Sequence, residues 1–389
     1  MAPRCDLDSL EMAVEYPFGN EAEPKRAGRL RAGTASRDDV LAVLALPIAE
    51  LLAAGPVGVL FSGGRDSSAL LALATTTAKR LGLAAPAAIT CVYPELPDPD
   101  EIAAQRAVID AVRPGDWIRI EVRDEQDLLG PAAQRGLRRH GYLYPATTHS
   151  WEPIYAAVPG FRLLDGEGGD EVFGHSRATA LAHLIRRRGV PYAGRRGQVT
   201  VAVAPSMVRK AASRRAARAE LPSWLRPAAK REYLRRVASE AAAEPLDWRD
   251  AVRRQPLRRG NVASEKSRRI IAADHDVELI SPFLAPGFLD VLARYGGRLG
   301  FTSRTTAMRE LFGDLLPESV THRHTKANFN NVFCGHYTRD FATKWDGIGG
   351  IDPNIVDPDA LRACWLSPMP HGASFGLLHQ AWLAAEAGQ

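Results

Sequence analysis

From Asp38 onward the apolar positions Val40, Leu41, Leu44, Ile48, Leu51 and Leu52 recur at helical spacing and stop at Gly55-Pro56. This predicts a helix closed by a breaker. Val57-Gly58-Val59-Leu60-Phe61 is a short unbroken apolar run of the kind used by a buried parallel strand. The turn Ser62-Gly63-Gly64-Arg65-Asp66-Ser67-Ser68 follows at once, and 69–81 reads as a strong helix. The alternation continues: 87–93 is strand-like, 100–112 helical, 117–122 strand-like, and 161–164 a short strand before a second glycine-rich turn. Strands alternating with helices predict an α/β fold with a doubly wound parallel sheet, whose ligands bind at the carboxyl ends of the strands. Both turns are therefore expected to face one cleft.

The rest of the chain has a different texture. Residues 1–36 mix Pro, Gly and charge without sustained periodicity, which reads as a surface-hugging extension or a partly ordered arm. Residues 183–262 are Arg-rich, Ala-rich and poor in strand formers. Between Arg186 and Arg236 there are fifteen Lys/Arg against two acids, Glu220 and Glu232. Solvated helical faces account for this better than an anion or nucleic-acid surface, because Arg is also a good helix former. From Ser264 the chain looks helical with loops. The expected organisation is an N-terminal extension (1–37), an α/β core (38–182), an attached Arg-rich helical region (183–262), and a C-terminal helical part that completes the active site (263–389).

Composition narrows the classes. With 389 residues, 46% apolar and 24% charged, the chain has a globular protein's means to bury a core, and disordered and fibrous classes are excluded. The balance of 50 Lys+Arg against 45 Asp+Glu, a net +5, is too mild to mark a nucleic-acid protein. Cys5, Cys91, Cys334 and Cys364 are far apart with no CxxC pair, so neither a zinc ribbon nor a disulfide framework is expected, and a reducing compartment fits. Acidic residues stand where a signal peptide needs an apolar core, and Pro47, Glu50, Gly55 and Pro56 break the best apolar window. The reading is a soluble, cytoplasmic protein without a membrane partner.

Two turns carry candidate chemistry. In the first, Gly63 and Gly64 let the backbone approach a ligand, and the helix start offers free N–H groups and the positive end of its dipole to an anion such as a phosphate. Ser62, Ser67 and Ser68 add hydroxyl donors. Asp66 would repel a phosphate unless a divalent cation lay between them, and Mg²⁺ is the natural choice. An ordinary serine-capped turn explains the serines but neither the Gly-Gly pair nor Asp66. In the second turn, Asp165, Glu167, Asp170 and Glu171 place four carboxylates within seven residues, a crowding relieved by a bound cation or amine. Tyr16, Tyr142, Tyr144, Trp151 and the ten histidines have no spacing that assigns them work, and without HxxxH or HExxH no zinc is indicated.

At this level the sequence resembles the synthetase domain of asparagine synthetases, within the PP-loop ATP pyrophosphatase superfamily. The resemblance rests on SGGRDS at 62–67 and GEGGDEVFG at 166–174, supported by Glu265-Lys266, Val277–Leu284 and Leu316-Pro317 with Arg323 and Lys326. It implies a PP-loop, adenine nucleotide alpha hydrolase-like fold. It also implies ATP and Mg²⁺, and adenylation of a substrate carboxylate followed by amide formation with ammonia or an amine. By this analogy Ser62, Gly63, Gly64, Ser67 and Ser68 hold the phosphates, and Asp66 and Asp170 share Mg²⁺. Leu60, Val92 and Gly166 lie against the nucleotide. Glu167 handles the incoming nitrogen, and Lys326 neutralises charge developing on the phosphates or the tetrahedral intermediate.

Departures from the family pattern bear on the substrate. Only about sixty residues precede Ser62, too few for a glutaminase domain, so glutamine is not expected as the nitrogen source within this chain. Ile280 and Ala285 replace the Arg and Asp of the family's VEARxPFLD stretch, which sets recognition of a small amino acid in question. Lys326 stands one residue further from Arg323 than in RxK, a form similar to lasso-peptide macrolactam cyclases. The acid is expected to be a specialised small molecule or a precursor peptide, with a separate nitrogen-supplying or carrier protein as a further partner. The alternatives are a lasso-type cyclase, a tRNA-modifying PP-loop ATPase gripping RNA through 186–236, and a non-catalytic nucleotide-sensing scaffold.

Overall fold

The computed structural model describes residues 6–22, 33–95, 98–174, 176–186, 199–321 and 330–388. Five strands, β1 (Val57–Leu60), β2 (Ala87–Val92), β3 (Asp116–Glu121), β4 (Arg162–Leu164) and β5 (Glu278–Ile280), form one sheet in the order β3-β2-β1-β4-β5. Every pairing is parallel. Alternation along each strand sends Val59, Ala88 and Leu164 into one apolar cluster and Ile89, Leu163 and Leu279 into another. The sheet is thus covered on both faces, as parallel sheets require.

The chain leaves β1, builds β2 and β3 on one side, and then returns to place β4 on the other side of β1. The strand order therefore reverses between β1 and β4, where an open α/β sheet forms its crevice. The expected elements are found with ends shifted by a few residues. Helix α1 (Ser9–Val14) precedes them, and α2 (Arg37–Ala54) starts at a Ser36/Asp39 capping box. Helix α3 (Arg65–Leu81) ends at left-handed Gly82, and α4 (Pro99–Val112) is capped by Asp98.

Two differences from the sequence reading have physical causes. The stretch after Ser264 is not purely helical, because Glu278–Ile280 supplies β5, paired to β4 from Arg162↔Glu278 to Leu164↔Ile280. Three residues are too few to show a period. The N-terminal stretch is also more than a surface extension. Leu10, Ala13 and Val14 of α1 pack in a second cluster with Trp224, Trp365, Phe375 and Leu378. Arg259 pairs with the buried Glu11 at 2.5 Å. The Glu15 carboxylate accepts from the backbone N–H groups of Ala146 (2.5 Å) and Gly376 (3.1 Å), and burial pushes its carboxyl up to about 7. In the basic stretch the helix Ser206–Ala217 buries no residue, as solvated helical faces predict, and individual arginines are tied to nearby groups. Arg209 donates to the Ala204 and Ala242 carbonyls, while Arg235 and Arg236 bind Glu232. No described helix is long and apolar enough to cross a membrane.

The second cluster also holds a pH liability. His149 and His379 are fully buried, with ring centroids 5.6 Å apart. Their Nε2 atoms lie 3.0 Å from the Gly141 carbonyl and 2.9 Å from the Leu128 carbonyl, respectively. Burial drives both imidazoles down, to about 3 for His149 and about 4 for His379. Below the unfolded value near 6.5 the unfolded chain binds protons that the folded chain refuses, so stability falls with pH. The melting temperature is expected to drop between pH 6.5 and 4, and His379→Gln should flatten that drop. An unchanged slope in the variant would remove the histidine explanation.

Candidate active site

The turn after β1 is shaped by contacts that only glycine permits at its second position. Gly63 sits at φ +81°, and a Cβ there would lie 2.7 Å from Gln105 Cγ. Gln105 of α4 donates to the Ser62 carbonyl at 3.1 Å, and the Ser67 hydroxyl donates to the Gly64 carbonyl at 3.2 Å. Ser62 Oγ accepts from the Gly64 N–H at 3.3 Å. Gly64 is the N-cap of α3 and makes no side-chain cap bond, so the helix start remains open to an anion. Leu60 and Val92 close adjacent strands at the same carboxyl edge. The Ser68 side chain, in the first turn of α3, is fully buried.

The turn after β4 lies directly against the first. A Cβ on Gly169 would overlap the Asp66 carboxylate, and one on Gly166 would stand 3.2 Å from Asp66 Cβ. Small residues at these two positions let the carboxylate loop close onto Asp66. Both aspartates reach Arg304, the first residue of the helix Arg304–Phe312, which gives one guanidinium nitrogen to Asp66 and the other to Asp170. Two carboxylates converging on one cationic centre form an oxygen donor set that fits Mg²⁺, a metal usually held by one or two carboxylates together with substrate phosphates. Among the described residues no group of three or more His, Cys, Asp or Glu side chains could hold a metal ion. Asp66 and Asp170 could together give such an ion two oxygen ligands, with phosphate oxygens completing its shell.

Beneath these loops runs a buried ion pair. Arg268 Nη1 lies 2.6 Å from Asp165 Oδ2, with both side chains under 9% exposed, and 3.8 Å from Glu167 Oε2. The Asp165 carboxylate also accepts the Glu167 backbone N–H at 3.1 Å, fixing the start of the loop. Burial pushes the Glu167 carboxyl up, Arg268 opposes this, and Asp165 and Glu171 add to it. Glu167 is therefore a carboxylate tuned toward proton exchange at higher pH than an ordinary glutamate.

Glu167 opens onto a polar cavity of about 210 Å³ lined by Tyr16, Tyr144, Glu171, Asn261 and Ser264 among others. Tyr16 donates to Glu240 at 3.0 Å, and burial with that carboxylate pushes its phenol up to about 12. Tyr16 and Tyr144, which the sequence left without a role, are walls of this cavity. Arg268, Arg304 and the N-terminal wall carry no motif, and their signal is tertiary only. Lys326 and Arg323 lie outside the described residues.

The family model for asparagine synthase matches residues 48–374, a span that takes in both turns, β5 and the helix bearing Arg304. A comparison with curated proteins returns no match.

Proposed function

The chain belongs to the asparagine synthase family, whose members are ATP-dependent synthetases, and on that premise we propose that it activates a substrate carboxylate as an acyl-adenylate and passes the acyl group to nitrogen. A carboxylate oxygen attacks the α-phosphorus of ATP and pyrophosphate leaves. The nitrogen lone pair then attacks the acyl carbon, the bond to AMP breaks, and a proton leaves the nitrogen. Backbone N–H groups of Gly63, Gly64 and the start of α3, with Ser62 and Ser67, bind the leaving pyrophosphate. Leu60, Val92 and Gly166 border the nucleotide. Mg²⁺ held by Asp66 and Asp170 would supply charge neutralisation at the triphosphate. Glu167, poised beside the cavity, accepts the proton from the incoming nitrogen, and Lys326 stabilises developing negative charge.

The observation that carries this reading is the meeting of the two turns, Gly169 and Gly166 against Asp66 with Arg304 joining Asp66 to Asp170. It supports a single centre rather than two unrelated loops. The cavity at Glu167, about 210 Å³, suits a small molecule or one side chain of a precursor peptide, with free ammonia or an amine as the nitrogen. A separate nitrogen-supplying or carrier protein, a place in specialised metabolism and a cytoplasmic setting belong to the same proposal.

The test is positional. With a panel of ¹⁸O-labelled carboxylic acids and ATP, label is expected in AMP, with pyrophosphate as the second product. ADP and orthophosphate would sink the mechanism. Glu167→Gln should keep acid-dependent pyrophosphate release while amide formation falls by about 10²–10⁴-fold, the usual worth of a positioned proton acceptor. Undiminished amide formation in that variant would take Glu167 out of the nitrogen step.

A further inference from the structure

We propose that Arg304 and the divalent cation are alternative occupants of the Asp66–Asp170 seat, and that the displaced guanidinium becomes a phosphate-binding group beside Arg65. The inference rests on the reading of these turns as a nucleotide site. It concerns a residue that no motif marks and that the mechanism above does not use.

The backbone of Arg304 is anchored independently of its head group. Its helix is anchored through Ala307, Met308, Leu311 and Phe312, all buried, and its start is capped by the Ser303 hydroxyl accepting from the Thr306 N–H at 3.1 Å. The guanidinium spans Asp66 and Asp170, each through one terminal nitrogen, and its Nε is buried without a hydrogen-bond partner among the described residues. Arg65, the first residue of α3, donates to Thr305 on the same helix at 3.0 Å.

Two arginines thus stand at the N-terminal end of α3, Arg65 bonded to Thr305 and Arg304 bonded to Asp66, beside a helix start whose N-cap is glycine. Once a metal neutralises the carboxylates, these cations and the helix dipole favour a polyanion. The same arrangement sets up the exchange. A metal needs the carboxylate oxygens that Arg304 occupies, and a triphosphate needs cations free of carboxylates. When both arrive, Arg304 gives up the aspartates and turns to the phosphates, where its fork of donors binds bidentately. Before they arrive, the guanidinium keeps two like charges from repelling and holds the loops in register.

The experiment measures two ligands separately on the full chain by calorimetry, using Mg²⁺ alone and inorganic pyrophosphate in the presence of EDTA. In Arg304→Ala, Mg²⁺ should bind at least ~10-fold tighter and pyrophosphate at least ~10-fold weaker than in the wild type, the scale of a single charge–charge interaction near a protein surface. Arg304→Lys, which keeps the charge but loses the fork, should fall between. Opposite signs are the signature: damage to the fold weakens both ligands, and an inert residue changes neither, so either pattern overturns the proposal. A wild type that binds neither pyrophosphate nor ATP with Mg²⁺ would instead sink the nucleotide-site reading and this inference with it. Neither ligand involves the acid or the amine, so a failure of the amide chemistry is separately visible.

Discussion

Asp66→Ala and Asp170→Ala are each expected to abolish ATP-dependent pyrophosphate release, by at least about 10³-fold, which corresponds to about 4 kcal/mol of transition-state stabilisation. The size follows from the site's charge. A triphosphate brought beside Asp66, Asp170 and Glu171 meets repulsion unless a cation lies between, and a metal held by one carboxylate in place of two is weakly and mobilely bound. The Asp170 side chain is 46% exposed and Arg304 keeps Asp66 as a partner in Asp170→Ala, so that variant should lose no more than about 1 kcal/mol of stability; Asp66, at 15% exposed, should cost more when removed. Activity and melting curves measured on the same preparations separate the two effects. Full release in either variant would remove that aspartate from the metal.

Arg268→Met acts through stability and chemistry together. It deletes the cationic half of a pair in which Arg268 and Asp165 are 8% and 5% exposed, leaving a buried carboxylate uncompensated at a cost of about 3–5 kcal/mol. Urea midpoints should show this, and adding Asp165→Asn should recover part of it, because the second change removes the orphaned charge. A pair that could be broken for less than ~1 kcal/mol would be a solvated contact and not the loop's anchor. The same substitution removes the cationic neighbour that lowers the Glu167 carboxyl. Glu167 would then ionise at higher pH, and the acid limb of the amide-forming pH profile should move upward. An unmoved limb would mean that Arg268 only supports the loop and does not tune its glutamate.

The elements around the first turn were readable because their signals are local. The α2 series of Val40, Leu44 and Ile48 has helical spacing, Val57–Leu60 is an uncharged buried run, and Gly63 with Gly64 marks a turn that side chains would obstruct. The second turn was readable as a carboxylate cluster for the same reason. The serines of the turn look alike in one dimension, and only the structure shows that Ser68 is fully buried at the start of α3 while Ser62 is exposed. The strand β5 escaped because Leu279 and Ile280 lie within a segment shorter than any period. Arg268 and Arg304 escaped because nothing in an Arg-rich chain distinguishes an arginine that reaches a carboxylate more than a hundred residues away.

By itself the sequence determined the alternation of strands and helices, the glycine and carboxylate content of the two turns, and the family to which they point, since backbone conformation and periodicity are written over a few adjacent residues. Only the tertiary structure decided that β4 returns to the far side of β1, that Gly169 closes onto Asp66, that Arg304 joins Asp66 to Asp170, and that Tyr16 from the N-terminal stretch walls the cavity at Glu167. Those facts depend on which distant surfaces pack together. That choice is made by the burial of whole faces of the sheet and helices, not by the local pattern of any one segment.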